Sequence, residues 1–227
     1  MGICIFHVRW SKFIPHDAKN AMNMVIVTMT LGSLRDFLDH ISADAGHELE
    51  LIEERAQSGA FDTYDSYEAE LSAPWERLQI AARAVQYELV ALVERELHHL
   101  AHEPWLRSPK HKGPKTLFDL NEADVEALST LRRVSDLQFP AVVDLIVDNY
   151  KLTLGSLPKW SEVAALREAV NAFKHRGGFR RFREAGGSLL QRHESNIDGA
   201  HAQIDAVHTF LVGLYSVVFS PQDLRMQ

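Results

Sequence analysis

The sequence has a single cysteine, Cys4, among its 227 residues, and this scarcity excludes two classes of protein. A disulfide framework needs cysteines in pairs, and a cysteine-rich zinc module needs several of them. The sequence also lacks an apolar run near the roughly 20 residues that a membrane-spanning helix requires. Charged residues and histidines interrupt the apolar segments at the N-terminus, so a signal peptide is not indicated. We therefore expect a cytoplasmic protein with no membrane segment.

An excess of positive charge is missing as well. The chain has 24 Lys and Arg against 31 Asp and Glu, which gives a formal net charge of −7. Binding of polyanions through the bulk charge is therefore excluded, and any nucleic-acid surface must be a local patch. What the sequence does have is an ordinary globular composition, with 46% hydrophobic residues, and enough length to bury a sizeable core.

Apolar residues at helical spacing predict helices from residue 31 to the C-terminal region. The clearest stripe runs from Trp75 to Leu100, and nothing interrupts it before Pro104. We expect this helix to start at Ser72, with Pro74 in its first turn, and to be roughly 45 Å long. The other predicted helices run from Ser33 to Gly59, from Asn121, from Ala141 to Leu154, from Trp160 to Lys174, and from Ser195 or Asn196 to Pro221.

Residues 1–30 differ in character from the rest of the chain. The segments Ile3–Trp10 and Met24–Thr30 are rich in β-branched and aromatic residues, which is typical of strands, and a poorly ordered tail is the alternative. We therefore predict an N-terminal extension over residues 1–30 and a helical domain over residues 31–227. Because the connections between helices look short, neighbouring helices should be antiparallel. The predicted fold is an all-α antiparallel bundle of five to six helices, with or without a short extended N-terminal segment.

The segment Leu166–Arg183 brings a titratable base close to several cations. Four polar residues fall on or near one face of its helical part: Arg167, Asn171, Lys174 and His175. At about 100° per residue they cover an arc of about 100° at the edge of the apolar stripe. The stretch from Lys174 to Arg183 contains five Lys or Arg, Lys174 included, and no acidic residue. A simple alternative is helix capping, because basic residues in the last turn and Gly177 after it suit any helix end.

The pattern Arg-x3-Asn-x2-Lys-His resembles the HEPN superfamily, the higher eukaryotes and prokaryotes nucleotide-binding domains. It looks most like the subset with an Asn-x-x-Lys-His motif, known from bacterial abortive-infection and toxin–antitoxin systems; here the motif is Asn171-Ala-Phe-Lys174-His175. The resemblance extends over about residues 32–220 and implies a helical protein that binds RNA or nucleotides. It also implies a homodimer, since one motif supplies one histidine, and a cognate antitoxin or other partner protein.

The resemblance further implies a metal-independent endoribonuclease that uses no cofactor. His175 would act as base or acid, Arg167 and Lys174 would hold the phosphate, and Asn171 would orient the reacting groups. The basic segment would bind the RNA through Arg176, Phe179, Arg180, Arg181, Phe182 and Arg183. The chain departs from the best-known ribonucleases of the family, in which four to six residues separate the arginine from the histidine. Seven residues separate them here.

Two other functions remain open from the sequence. In the stretch Glu94–Glu103, His98 and His102 are spaced i, i+4 and Glu94 precedes His98 by four, so the three side chains share a face that suits a metal ion. His201 and Asp205 on the last helix have the same spacing. Alternatively, the acidic helices between residues 34 and 103 bind a partner protein, and the chain is a non-catalytic interaction module.

Overall fold

The computed structural model describes residues 16–106, 137–176, 179–184, 187–192 and 195–218. Side chains are described for residues 23–101, 137–175 and 195–218. The described backbone forms five α-helices: α1 (His16–Gln57), α2 (Tyr64–Leu106), α3 (Phe139–Tyr150), α4 (Trp160–Arg176) and α5 (Ile197–Val218). It also forms one β-hairpin, in which β1 (Phe179–Glu184) pairs antiparallel with β2 (Gly187–Arg192). The predicted all-α helical class is confirmed for this part of the chain.

Helix α1 passes through residue 30 without a break, which corrects two predictions. Met24–Thr30 is helical and the strand predicted there is wrong, and Ser33 lies inside a helix that it was expected to start. Leu31 and Leu38 explain the difference, because they are spaced i, i+7 and are only 4% and 0% exposed. Burial of one helical face outweighs the weak β-propensity of the residues around it. Ile3–Trp10 lies outside the described residues.

The turn between α1 and α2 contains one signal that the sequence predicts and a second, a helix cap, that was not predicted. Gly59 has a φ of 73°, the left-handed conformation that ends α1 where predicted. Helix α2 starts well before Ser72, because Thr63 and Ser66 cap its first turn. The Ser66 amide donates to Thr63 Oγ1 at 3.2 Å, and the Thr63 amide donates to Ser66 Oγ at 3.3 Å. Pro74 consequently lies in the interior of α2, not in its first turn.

The later elements agree with the sequence in part. Helix α4 begins at the predicted Trp160, and Asn196 caps α5 as expected, since the Gly199 amide donates to Asn196 Oδ1 at 2.7 Å. The arginine-rich segment after α4, for which no strand was predicted, is the first strand of the hairpin. The helix predicted from Asn121 lies outside the described residues.

Contacts divide the chain into two units that cut across the long helices. Unit 1 comprises Met1–Ile26, Glu94–Leu154 and Leu214–Gln227, and unit 2 comprises Val27–Val93 and Gly155–Gly213. The fully buried large side chains of unit 2 are Val27, Leu38, Val85, Leu89, Ile204, Phe210 and Leu211. The Trp160 ring packs against Phe210 with centroids 5.4 Å apart, which anchors the start of α4 on this core. Helix α4, the hairpin and the predicted catalytic residues all belong to unit 2.

In unit 1, α3 supplies a hydrogen bond that a proline in α2 cannot make. Pro104 has no N–H, so it cannot donate to the carbonyl of Leu100, four residues earlier. The Tyr150 hydroxyl at the end of α3 donates to that carbonyl at 2.9 Å, and Asn149 donates to the next carbonyl at 3.4 Å. Leu100 is fully buried, so its carbonyl needs such a partner. The missing helix bond is thereby replaced by a contact between two helices.

We predict that Tyr150→Phe lowers the free energy of unfolding by about 1 kcal/mol, because the Leu100 carbonyl loses its donor. In a Pro104→Ala background, the amide of residue 104 can donate to the same carbonyl, and the cost of Tyr150→Phe should fall toward zero. Chemical denaturation of the two single variants and the double variant measures this coupling. An equal cost of Tyr150→Phe in both backgrounds would contradict the explanation.

Candidate nucleic-acid interface

Helix α4 is amphipathic, and its buried face is the one that the sequence predicts. Val163, Leu166 and Val170 are 4%, 3% and 0% exposed, and Phe173 is half-buried at the end of the same stripe. Their spacing of three or four residues keeps them on one side of the helix. The position of this stripe determines which polar side chains of α4 remain within reach of solvent.

The four residues predicted to be catalytic differ in exposure. Arg167 and Asn171 are half-buried, whereas Lys174 and His175 in the last turns of α4 are exposed. A separation of eight positions places the Cα atoms of Arg167 and His175 about 12 Å apart along the helix axis and about 80° apart around it. Lys174 and His175 are therefore close to each other, while Arg167 lies two turns away from both.

Two cation–π contacts join the end of α4 to α2. The Lys174 ammonium lies 5.3 Å from the centroid of the Tyr87 ring, and the Arg83 guanidinium lies 5.8 Å from the centroid of the Phe173 ring. Each helix contributes one cation and one ring. The negative face of an aromatic ring attracts a cation without neutralising its charge. We call these four residues the α2–α4 seam.

The cations near the end of α4 are not neutralised by carboxylates within the described side chains. None of Arg83, Lys174 and His175 forms an ion pair there. Elsewhere in unit 2, basic side chains do form such pairs: Arg55 with Glu70 at 2.5 Å, and Arg77 with Glu48. Among the described side chains, no carboxylate therefore balances the positive charge at this end of α4.

The β-hairpin continues the basic segment directly after α4. Strand β1 contains Arg180, Arg181 and Arg183, and its first residue, Phe179, pairs with Arg192 at the end of β2. Strand β1 also contacts α4. The predicted nucleic-acid-binding residues thus lie on a helix end and a strand, although the side chains of Arg176, Phe179, Arg180, Arg181, Phe182 and Arg183 lie outside the described ones.

A buried polar network beneath the seam was not predicted from the sequence. Gln86 is 4% exposed; its Oε1 accepts from the Ser195 hydroxyl at 2.9 Å, and its Nε2 donates to Gln203 Oε1 at 3.1 Å. Ser195 is itself 5% exposed. The signal for this network was a glutamine four residues after Ala82 in an apolar stripe, a position where an uncompensated amide would be costly. The network joins α2 to Ser195, just before α5, and to Gln203 in the second turn of α5.

The three residues of the metal site suggested by the sequence are not all among the described side chains, because that of His102 lies outside them. In the described part of the chain, no group of three or more His, Cys, Asp or Glu side chains is arranged to hold a metal ion. Glu94 and His98 are half-buried, and the His102 side chain lies outside the described ones. His201 and Asp205 instead join α5 to α1: His201 Nε2 lies 3.2 Å from Asp39 Oδ1, and Asp205 pairs with an arginine at 2.5 Å.

Comparison of the chain with protein-family models finds no match, and comparisons with curated proteins and with solved structures find none either. The residues themselves therefore carry the functional assignment. Among the helices in the described ranges, none combines the length and the apolar character needed to cross a bilayer.

The start of α4 contains a carboxylate with a strongly lowered pKa. The Lys159 ammonium lies 2.7 Å from Glu162 Oε1, and the Ser161 hydroxyl donates to Oε2 at 2.7 Å. The contact with Lys159, and to a smaller extent that with Ser161, lowers the pKa of Glu162 from 4.5 to about 2. A negative charge in the first turn also complements the helix dipole. The ionised form of Glu162 thus helps to hold the N-terminal end of the helix that carries the candidate site.

We predict that Glu162 contributes to stability fully above pH 4.5 and loses this contribution as the pH falls through about 2, because its pKa is lower in the folded protein than in the unfolded chain. The difference in unfolding free energy between wild type and Glu162→Gln should follow that titration. Denaturant unfolding in a pH series measures it. In Lys159→Gln the loss should occur at higher pH, and an unchanged profile in that variant would contradict the assigned cause.

Proposed function

We propose that this chain is a cytoplasmic RNA-binding protein that binds RNA through the end of α4 and the hairpin after it. The observation that carries the proposal is the exposed Lys174, held over the Tyr87 ring and without a carboxylate partner among the described side chains. Exposed His175 is its neighbour, and three arginines follow in β1. Phosphate contacts by such cations supply most of the affinity of proteins for nucleic acids.

A local patch of this kind is compatible with the net charge of −7. The acidic residues concentrate between residues 34 and 103, whereas the stretch from Lys174 to Arg183 has none. A local concentration of positive charge can therefore attract RNA even though the chain as a whole is acidic.

Binding is favoured over cleavage by the spacing within α4. In-line attack by a 2′-hydroxyl requires a base or acid and a cation at the same phosphate. Arg167 and His175 are about 12 Å apart along the helix axis, farther than the arginine and histidine of the family's best-known ribonucleases, which four to six residues separate. A homodimer with two facing copies of α4 would be needed for a metal-independent endoribonuclease. The HEPN-like identity, the defence or toxin–antitoxin role and an antitoxin partner belong to this proposal and follow from the resemblance alone.

We predict that Lys174→Gln weakens RNA binding and reduces the slope of log affinity against log salt concentration by roughly 0.7, the value for one phosphate contact on a single strand. Lys151→Gln is the matched control, because Lys151 is an exposed lysine outside unit 2 and the change in net charge is the same. Fluorescence anisotropy with a labelled RNA at several salt concentrations measures both slopes. Equal slopes for the two variants would reject the proposed site.

We predict that purified protein leaves bound RNA intact in EDTA, and that His175→Ala and Arg167→Ala do not differ from wild type in this respect. The reason is that Arg167 and His175 are farther apart along α4 than the matching residues of the family's best-known ribonucleases. Gel analysis of RNA over time is the measurement. Cleavage by wild type that both substitutions abolish would contradict a binding-only function and establish the endoribonuclease.

A further inference from the structure

Arg83 on α2 has no role in the sequence-based account, yet it lies at the end of α4 where Lys174 is held. We propose that Arg83 is a second phosphate-binding residue of the same site, that Tyr87 and Phe173 are positioning residues for the two cations, and that the ligand is single-stranded RNA, not a free nucleotide. This inference rests on the proposed RNA-binding function and extends it to α2.

The geometry of the seam supports a shared role for the two cations. On α2, Arg83 and Tyr87 are one turn apart and both half-buried; on α4, Phe173 and Lys174 are adjacent. In each contact the cation of one helix lies over a ring of the other helix, Arg83 at 5.8 Å from the Phe173 centroid and Lys174 at 5.3 Å from the Tyr87 centroid. Both cations are therefore restrained on the same pair of helices. A long side chain that is already restrained loses less conformational entropy when it binds a phosphate. Arginine also offers paired N–H donors that match phosphate oxygens.

The carboxylates nearest along the two helices do not oppose these cations. Glu88 lies about 140° around α2 from Arg83, and Glu168 lies about 120° around α4 from Lys174. Both glutamates are exposed. Neither of these two glutamates therefore lies on the face of its helix that carries the nearby cation.

The extent of the basic surface favours a polymer as the ligand. Three arginines follow Lys174 in β1, whose backbone is up to about 20 Å long. Arg83 adds a cation on a second helix. A free nucleotide carries its phosphates at one point, whereas a single strand has one phosphate per nucleotide and can neutralise several separated cations at once. Tyr87 and Phe173 would then hold the cations and leave base stacking to other aromatic residues.

The test compares Arg83→Gln with Arg77→Gln. Arg77 is the matched control, because it lies on the same helix, carries the same charge and is already paired with Glu48. The probe is a labelled oligouridylate of about 15 nucleotides, titrated at several salt concentrations. Arg83→Gln should reduce the salt slope by roughly 0.7, and Arg77→Gln should leave it unchanged. Arg83→Met, which keeps the aliphatic part of the side chain, provides a second variant should the glutamine variant be poorly folded.

A double-mutant cycle tests the positioning role of Tyr87. Tyr87→Leu should weaken binding in wild type but have no further effect in a Lys174→Gln background, and Tyr87→Phe should keep full affinity because it retains the ring. A purely structural role for Tyr87 predicts the same loss in both backgrounds. That result would overturn the assignment of Tyr87 as a positioning residue.

The outcomes separate this inference from the proposed function. If wild type binds no RNA, both are wrong. If wild type binds, Lys174→Gln weakens binding, and both Arg83 variants behave like Arg77→Gln, only the α2 contribution is overturned. If uridine monophosphate competes as well as the oligonucleotide at equal phosphate concentration, the polymer as ligand is overturned.

Discussion

The rest of unit 2 depends on the hydrogen bonds of the buried side-chain amide of Gln86. This amide lies in the apolar stripe of α2, and it stays there only because Ser195 donates to its oxygen and its nitrogen donates to Gln203. A hydrophobic stripe tolerates small shifts of one helix along another, but a buried amide does not, since each shift would leave a polar group unsatisfied. The network therefore fixes the position of α5 against α2.

The same stretch of α2 presents the seam. Arg83 and Tyr87 flank Gln86 in the sequence, so the network that fixes α2 also determines where their side chains meet α4. Helix α4 packs on the core through the buried side chains of Val163, Leu166 and Val170. Its polar face therefore lies at the edge of the core. In the proposed function, a cation held over a ring by two fixed helices needs little further ordering to bind a phosphate.

The sequence predicted the helical class, the start of α4 and the cap of α5, because periodicity and capping residues act locally. It did not predict the hairpin, because β1 is rich in arginine and lacks the alternation of apolar and polar residues that indicates a strand. It also did not predict the early start of α2, which Thr63 and Ser66 cap. For the site, the position of Lys174 and His175 at a helix end could be anticipated. The contributions of Arg83 and Tyr87 could not, because contacts between residues about 90 positions apart leave no local pattern.

Ultraviolet cross-linking of bound oligouridylate, followed by mass spectrometry of the peptides, tests the central claim most directly. The account predicts cross-links in peptides that contain Tyr87 or residues 173–192, and their loss at high salt, because the contacts are ionic. Cross-links confined to other peptides, or cross-linking that salt does not affect, would contradict it.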